Sequence, residues 1–335
     1  MSFRKACLAG TAVLFATVGA AHADPAKKLK IGVDLYGLKA EFMQLWAASV
    51  KQSPEVKNGN VEVTVFDGRY DSLVQQNQFD TMISQKYDAI IFAPIDADAG
   101  VTAVEAAHKA GIPVIGTNTK ANTDLLTSYV GSDDTRSGYL EAKAVLDKIG
   151  CKGNVVIIEG PIGISAQIQR RQGNLKALKE CPTVKVLEMK TANWSRAEAQ
   201  TLMDDWLTRY PGHINGIIGQ NDEMALGAIE AIKSANLKVS SFAIAGIDGI
   251  TDALLAVKAG EMTSILQDAN AQAQGSMDVA VRAVEGASFK PQSDIWQQYP
   301  QMKWDGGTDK NYNVPWTPVT PQNVDDLLAR RQKGS

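Results

Sequence analysis

No glycine pattern in this chain can cradle a nucleotide. Gly160-Pro161-Ile162-Gly163 follows a strand-like run and precedes a helical one, yet it lacks the third glycine of the dinucleotide fingerprint. No Gly-Lys-Ser/Thr ending closes a phosphate loop either. Histidine is scarce, with three in 335 residues. Two of them, His108 and His213, lie beyond the N-terminal segment, isolated at a helix end and in a loop without a partner at metal-ligand spacing, so no metal site is expected. No serine or cysteine sits in a nucleophile elbow. The formal net charge is only −3, and no charge run or low-complexity segment occurs. This mildly acidic balance argues against nucleic acid or an anionic membrane as partner. Beyond residue 23 no stretch approaches the ~20 apolar residues of a membrane span. Together these absences leave no sequence support for phosphoryl, hydride, metal-assisted or nucleophilic chemistry, and no cofactor is expected.

What is present begins with an address. Arg4 and Lys5 form a charged start, Ala6 to Ala21 an apolar run, and Ala21-His22-Ala23 a small-residue cleavage site before Asp24, the layout of an export signal cleaved after Ala23. Cys7 lies at the front of the apolar run, not at its end, which argues against a lipid-anchored cysteine. A soluble exported protein follows, most simply a periplasmic one. Removing 23 residues leaves 312 and, with Arg4 and Lys5 gone, moves the net charge from −3 to −5. At ~100–200 residues per domain this length predicts two domains. The two remaining cysteines, Cys151 and Cys181, are expected to form a disulfide in an oxidising compartment, the alternative being two separate buried thiols.

From Lys30 onward short apolar runs alternate with helical patterns. The runs Ile31–Leu35, Val61–Phe66, Ala89–Ala93, Val114–Thr117 and Thr127–Val130 predict five strands of a parallel βα layer. A second set follows at Val155–Ile158, Val184–Met189, Ile214–Gly219, Phe242–Gly246 and Thr263–Leu266, separated by helical segments near 165–180, 196–209, 222–234 and 249–259. Two sets of similar size predict two similar α/β lobes. A further helix is expected over Ala269 to Glu285. An irregular tail over Pro291 to Pro321 should wrap both lobes, and a last helix should start with Thr320 as cap and Pro321 at its first position.

The most informative run is Gln220-Asn221-Asp222-Glu223-Met224-Ala225-Leu226-Gly227-Ala228. It follows a buried strand and opens a helix, so Gln220 and Asn221 lie at the carboxyl end of a strand, where open α/β sheets bind ligands. Asp222 reads as the N-cap of that helix. Other polar and aromatic residues gather at similar junctions in both sets, among them Phe42, Arg170 and Asp248. Carboxylates and amides suit vicinal hydroxyls, a guanidinium donates through a planar fork, and aromatic faces such as Phe42 and Trp194 suit the C–H faces of a sugar. The chemistry of such a crevice fits a carbohydrate or polyol.

These residues resemble the periplasmic sugar-binding proteins of the ribose type, which serve ABC importers. The resemblance spans nearly all of the chain after the export signal. It is carried most specifically by Gln220 to Ala228, with support from Gly160-Pro-Ile-Gly-Ile-Ser165-Ala, Ile-Asp248-Gly249, Ile265-Leu-Gln267 and Pro94-Ile-Asp96-Ala97. It implies a type I periplasmic binding protein, two Rossmann-like lobes with parallel sheets joined by a three-segment hinge, which close around a small sugar or polyol. The division implied is 24–131 with 268–300 for the N-terminal lobe and 132–267 with 301–335 for the C-terminal lobe. Hinge segments are expected near Ser132-Asp133, near Gln267-Asp268 and in 300–313.

By position the resemblance makes Phe42, Asn118, Arg170, Trp194, Asn221, Asp248 and Gln267 ligand-binding, with Tyr36, Lys39 and Thr119 beside them. Three departures stand out. Ala40-Glu41-Phe42-Met43 replaces an Asn-Pro-Phe-Phe run, Asn118-Thr119 replaces an Asp-Arg clamp, and Trp194 replaces a phenylalanine; together they point away from ribose itself. The implied partner is an inner-membrane ABC permease, the implied state a monomer, and the implied activity binding, not catalysis. A periplasmic receptor feeding a chemosensor is a second reading. An exported carbohydrate-active enzyme is a third, for which only Asp248 is well placed.

Overall fold

A computed structural model describes residues 28–332. The export signal expected over residues 1–23 lies outside the described residues. The first half of the chain runs β1 (Leu29–Leu35), α1 (Glu41–Lys51), α2 (Pro54–Lys57), β2 (Val61–Asp67), α3 (Ser72–Ser84), β3 (Ala89–Ala93), α4 (Ala99–Lys109), β4 (Val114–Thr117) and β5 (Ser128–Gly131). A second series follows as α5 (Asp134–Lys148), β6 (Asn154–Glu159), α6 (Ser165–Lys179), β7 (Lys185–Thr191), α7 (Arg196–Arg209), β8 (Gly216–Gly219), α8 (Asp222–Ser234), β9 (Ala243–Asp248), α9 (Thr251–Lys258) and β10 (Thr263–Leu266). The chain ends with α10 (Ala269–Glu285), α11 (Ile295–Gln298), β11 (Asn311–Asn313), β12 (Thr317–Val319) and α12 (Val324–Gln332).

The strands form two six-stranded sheets, ordered β11-β5-β4-β3-β1-β2 and β12-β10-β9-β8-β6-β7. Every pairing is parallel except that of β10 with β12. Parallel strands covered by helices on both faces need continuous apolar runs, not alternation. Ala89 to Ala93 is accordingly buried at every position, as is Ala243 to Asp248. The chain is thus an α/β protein of two lobes, each a parallel sheet with flanking helices.

The tail decides the third connection. Sequence alone places 301–335 with the second lobe, but β11 hydrogen-bonds along β5 in the first sheet, Tyr312 opposite Val130. Only β12 joins the second sheet, Ile265 lying opposite Pro318. The crossover therefore falls at Val314-Pro315-Trp316, later than the expected 300–313. Three-residue strands carry almost no periodicity, which is why this tail reads as irregular. The last helix also starts later than expected, at Val324. Thr320 and Pro321 stand in a turn before it, where the Asn323 carboxamide accepts from Thr320 N at 2.8 Å. The other two connections leave β5 through Ser132-Asp133 and β10 through Gln267-Asp268. Asp133 and Asp268 cap the helices that follow, accepting from Arg136 N and Ala271 N.

Cys151 and Cys181 are joined, with their Cα atoms 5.1 Å apart. They precede β6 and β7, which are hydrogen-bonded neighbours. Nearby, α5 lies directly against α6 because Gly138 and Gly173 face each other's helices. A Cβ on Gly138 would collide with the backbone of Arg170, and one on Gly173 with that of Thr135. This close approach brings the start of α6 beside Asp134.

Candidate functional site

Strand ends from both lobes face each other across one cavity. Tyr36 follows β1, Ala40 and Phe42 stand at the start of α1, and Asn118 and Thr119 follow β4. The second lobe contributes Ile164, Ala166 and Arg170 at and after the N-terminus of α6. It also supplies Trp194 after β7, Asn221 after β8, Asp248 at the end of β9 and Gln267 after β10. Nine of the ten residues singled out in the sequence therefore line this cavity. The exception is Lys39, which is exposed on the turn before α1 and is not among the lining residues. Sequence reasoning missed Ala40, Ile164 and Ala166, whose small or apolar side chains carry no chemical signal of their own.

Arg170 is the electrostatic centre. Its Nε donates to Asp134 Oδ1 at 2.8 Å and its Nη1 to the Gln220 carbonyl at 2.6 Å. The guanidinium carbon lies 5.4 Å from the Trp194 ring centroid and 5.7 Å from that of Trp316, within cation–π range of both. Burial opposes the charge, but the carboxylates of Asp134 and Asp248 outweigh that cost and raise its pKa above the ordinary value. Asp134 itself is pushed up by burial and pulled back by Arg170. Sequence inspection gave no reason to prefer Asp134 to its neighbour Asp133, since both stand at a strand-to-helix junction.

Asp248 differs from Asp134 in making no side-chain hydrogen bond among the described residues. It is 6 % exposed, and burial pushes its carboxyl well above the ordinary range, with Arg170 working against that shift. Its backbone φ of 125° is strained for a residue with a side chain. Asn118 at φ 55° and Trp194 at φ 58° are also left-handed. Three of the lining residues thus hold conformations that cost roughly 1–3 kcal/mol each and that cluster at ligand clamps in folded proteins.

The amide groups are half used. Asn221, not Asp222, is the N-cap of α8, its Oδ1 accepting from Met224 N at 2.9 Å. Its NH₂ makes no hydrogen bond among the described residues. Asp222 points the other way and accepts from Gly249 N, Ile250 N and the Ser264 hydroxyl. That side chain secures the turn after β9, which carries Asp248. Gln220 likewise supports the site from behind, taking Gly160 N at 3.1 Å. Asn118 Nδ2 reaches Gln267 Oε1 at 3.4 Å and Gln272 Oε1 at 3.3 Å. Gln267 Nε2 and Trp194 Nε1 are buried donors with no acceptor among the described residues. Thr119 spends its hydroxyl on Pro94 O at 2.8 Å and serves as wall. Burial raises the Tyr36 hydroxyl well above its usual pKa, so it stays protonated.

The lobes are drawn together over this cavity. Ala97 N donates to Gly163 O at 3.0 Å and Lys120 N to Ser165 Oγ at 2.8 Å. At the other rim Glu41 Oε1 accepts from Thr251 N at 3.0 Å and from Thr251 Oγ1 at 2.6 Å. The room left admits the centre of a water molecule over only about 10 Å³, roughly what a single water needs. Among the described residues no group of three or more acidic, histidine or cysteine side chains could hold a metal ion.

Two lobes joined by three crossovers, with strand ends converging on a hinged cavity, define a binding protein of the bilobal α/β class. A model of the periplasmic binding protein domain matches residues 31–288, and the chain belongs to that family. It is 33 % identical over 309 residues to a xylitol-binding protein of Mycolicibacterium smegmatis, covering 91 % of this chain and 82 % of that one. It is also 33 % identical over 286 residues to a putative rhizopine-binding protein of Rhizobium meliloti, covering 83 % and 90 %. Among solved structures, an ABC transporter solute-binding protein from Bacillus halodurans with bound myo-inositol superimposes with a TM-score of 0.80 at 32 % identity. That match covers 90 % of this chain and 98 % of the other. The family and these relatives are binding proteins, not enzymes. No helix among the described residues is long and apolar enough to cross a membrane.

Proposed function

We propose that this protein binds a small sugar or polyol between its lobes in the periplasm and delivers it, as a soluble monomer, to an ABC import permease in the inner membrane. The observation that carries the reading is the set of unspent polar groups around one cavity. Asp248 offers an acceptor, and the Asn221 NH₂, Gln267 Nε2 and Tyr36 hydroxyl can each donate. A ligand bearing several adjacent hydroxyls, each both donor and acceptor, matches this mixture. The Phe42 and Trp194 rings supply apolar faces for its C–H groups. Arg170 then bonds ring or chain hydroxyls while it remains tied to Asp134.

Polyols come before ribose in this reading. Three relatives at 32–33 % identity, each matched over more than four fifths of this chain, bear the names of xylitol and rhizopine or hold myo-inositol, whereas a D-allose-binding protein at 32 % is matched over 63 % of it. Asn118-Thr119 leaves the first lobe without a charged clamp. A thermal-shift panel of tetritols, pentitols, inositols, pentoses and hexoses tests it. A true ligand at a hundred times its Kd adds about 2.7 kcal/mol of stability, a shift of a few degrees for a protein of this size. A pentitol or inositol should give the largest shift, and a panel without any shift sinks the reading. Delivery is tested separately, by loss of uptake of the labelled ligand in a deletion strain and its return with the wild-type gene.

A further inference from the structure

Trp316 lies on the third crossover, between β11 of the first sheet and β12 of the second, and is not among the cavity-lining residues. Its indole nevertheless makes two contacts that tie the hinge to the site. Nε1 donates to the Asp133 carbonyl on the first crossover at 2.7 Å. The ring lies 5.7 Å from the guanidinium carbon of Arg170. One side chain thus joins two of the three hinge segments and touches the cation at the centre of the cavity. Asp133 is also the cap of α5, and its neighbour Asp134 is the carboxylate that holds Arg170 Nε. Any rotation of the lobes turns on these same crossovers, so the indole's position relative to Arg170 must follow the hinge.

From this juxtaposition we propose that Trp316 is a positioning residue. In the closed arrangement it locks the first and third crossovers together and fixes the plane of the Arg170 guanidinium for ligand hydroxyls. The inference rests on the binding reading above. The Trp194 ring holds the same cation from the second lobe's own framework, at 5.4 Å. Trp316 adds a contact that exists only when the crossovers are correctly set. Opening of the lobes is then coupled to loosening of Arg170, which would speed ligand release.

The test is a double-mutant cycle read by calorimetry with xylitol and myo-inositol. Trp316→Leu removes both the ring and the N–H. It should weaken binding about tenfold to hundredfold, the combined effect of a lost cation–π contact and a lost hydrogen bond. In an Arg170→Lys background, where the planar fork is gone, the same substitution should cost less than about threefold. Equal losses in the two backgrounds mean that Trp316 acts independently of Arg170, and the proposal falls. Trp316→Phe keeps an aromatic face and should fall between wild type and Trp316→Leu, which guards against a leucine variant that does not fold. A second arm needs no ligand: the ¹⁵N–¹H signal of Arg170 Nε, assigned by its loss in Arg170→Lys, should shift and exchange faster with water in Trp316→Leu. An unmoved signal overturns the proposed contact. Failure of the wild type to bind any polyol would count against the binding reading alone, leaving the resonance arm to decide on Trp316.

Discussion

The first lobe meets the cavity with Tyr36, Ala40, Phe42, Asn118 and Thr119, none of them charged at neutral pH, whereas the second presents Arg170 and Asp248 with Asp134 directly behind. The sheets have the same size and strand order apart from the antiparallel β12, so the difference lies in what the strand ends carry. Charged groups at a buried site need a fixed supporting network, and the second lobe supplies one in Gln220, Asp222, Asn221 and Ser264. The first lobe spends far less on its wall. This asymmetry suits a division of labour in which the second lobe holds the ligand's hydroxyls and the first closes over its apolar faces.

The buried carboxyls behind the two walls show the same contrast. Asp34 of β1 accepts one bond, from Gln75 Nε2 at 2.8 Å, and its other oxygen is buried without a partner among the described residues. Burial pushes it up to about 8. Asp222 is also pushed up by burial, but Ser264, Ile250 N and Gly249 N donate to it and hold it at about 7. More donors keep a buried acid closer to its ionised form.

The largest expected effect separates the two walls directly. Asp248 and Tyr36 both line the cavity, and neither side chain makes a hydrogen bond among the described residues, so changing either should disturb binding with little else. Asp248→Asn should lose about 2–5 kcal/mol of polyol affinity, a factor of tens to thousands. Tyr36→Phe should lose about 0.5–1.5 kcal/mol, tenfold or so at most. Titration calorimetry of both variants checks this, and equal losses would erase the asymmetry. Arg170→Ala is a poorer probe than sequence alone suggests. It strands Asp134 in a buried site, and loss of one partner of such a pair costs about 3–5 kcal/mol of folding stability.

A second contrast is covalent. Cys151 and Cys181 lie in the second lobe, and the first lobe contains no cysteine. Closing a loop with a sequence separation of 30 stabilises by about 3–4 kcal/mol in the chain-entropy model. Reduction should therefore lower the urea midpoint of the second lobe and leave probes in the first lobe unmoved. Two free thiols in protein purified from the periplasm would remove the basis of this prediction.

A third contrast concerns pH. A carboxyl whose folded pKa stands at about 8 against an ordinary 3.8 binds its proton more tightly in the folded state. Its stabilising contribution is complete below about pH 4 and is lost as pH rises through 8, at up to about 1.4 kcal/mol per pH unit. Asp34→Asn should flatten the fall in stability between pH 5 and 8, as urea titrations at several pH values will measure. An unchanged slope would mean that Asp34 is not the group responsible. Asp222 works in the same direction over a narrower window, ending near 7.

Much of this molecule was readable from its residues. The inner strands announce themselves because a parallel sheet covered on both faces needs uninterrupted apolar runs, and Ala89–Ala93, Val114–Thr117 and Thr263–Leu266 stand where those runs do, whereas the edge strands β2 and β7 interleave polar residues. The location of the cavity was equally legible, since polar residues directly after such strands have one common edge to occupy. Other decisions belong to tertiary structure alone. Whether Asn221 or Asp222 caps α8 depends on Gly249, Ile250 and Ser264, distant in sequence, which capture the Asp222 carboxylate. Lys39 and Tyr36 stand three residues apart, yet only the turn before α1 decides that one reaches solvent and the other the cavity. The membership of β11 in the first sheet rests on pairing with β5, far away in the chain, and no local pattern of three residues can encode that. Local periodicity is written in neighbouring residues, whereas partner choice among buried polar groups is settled only when distant segments compete for the same donors and acceptors.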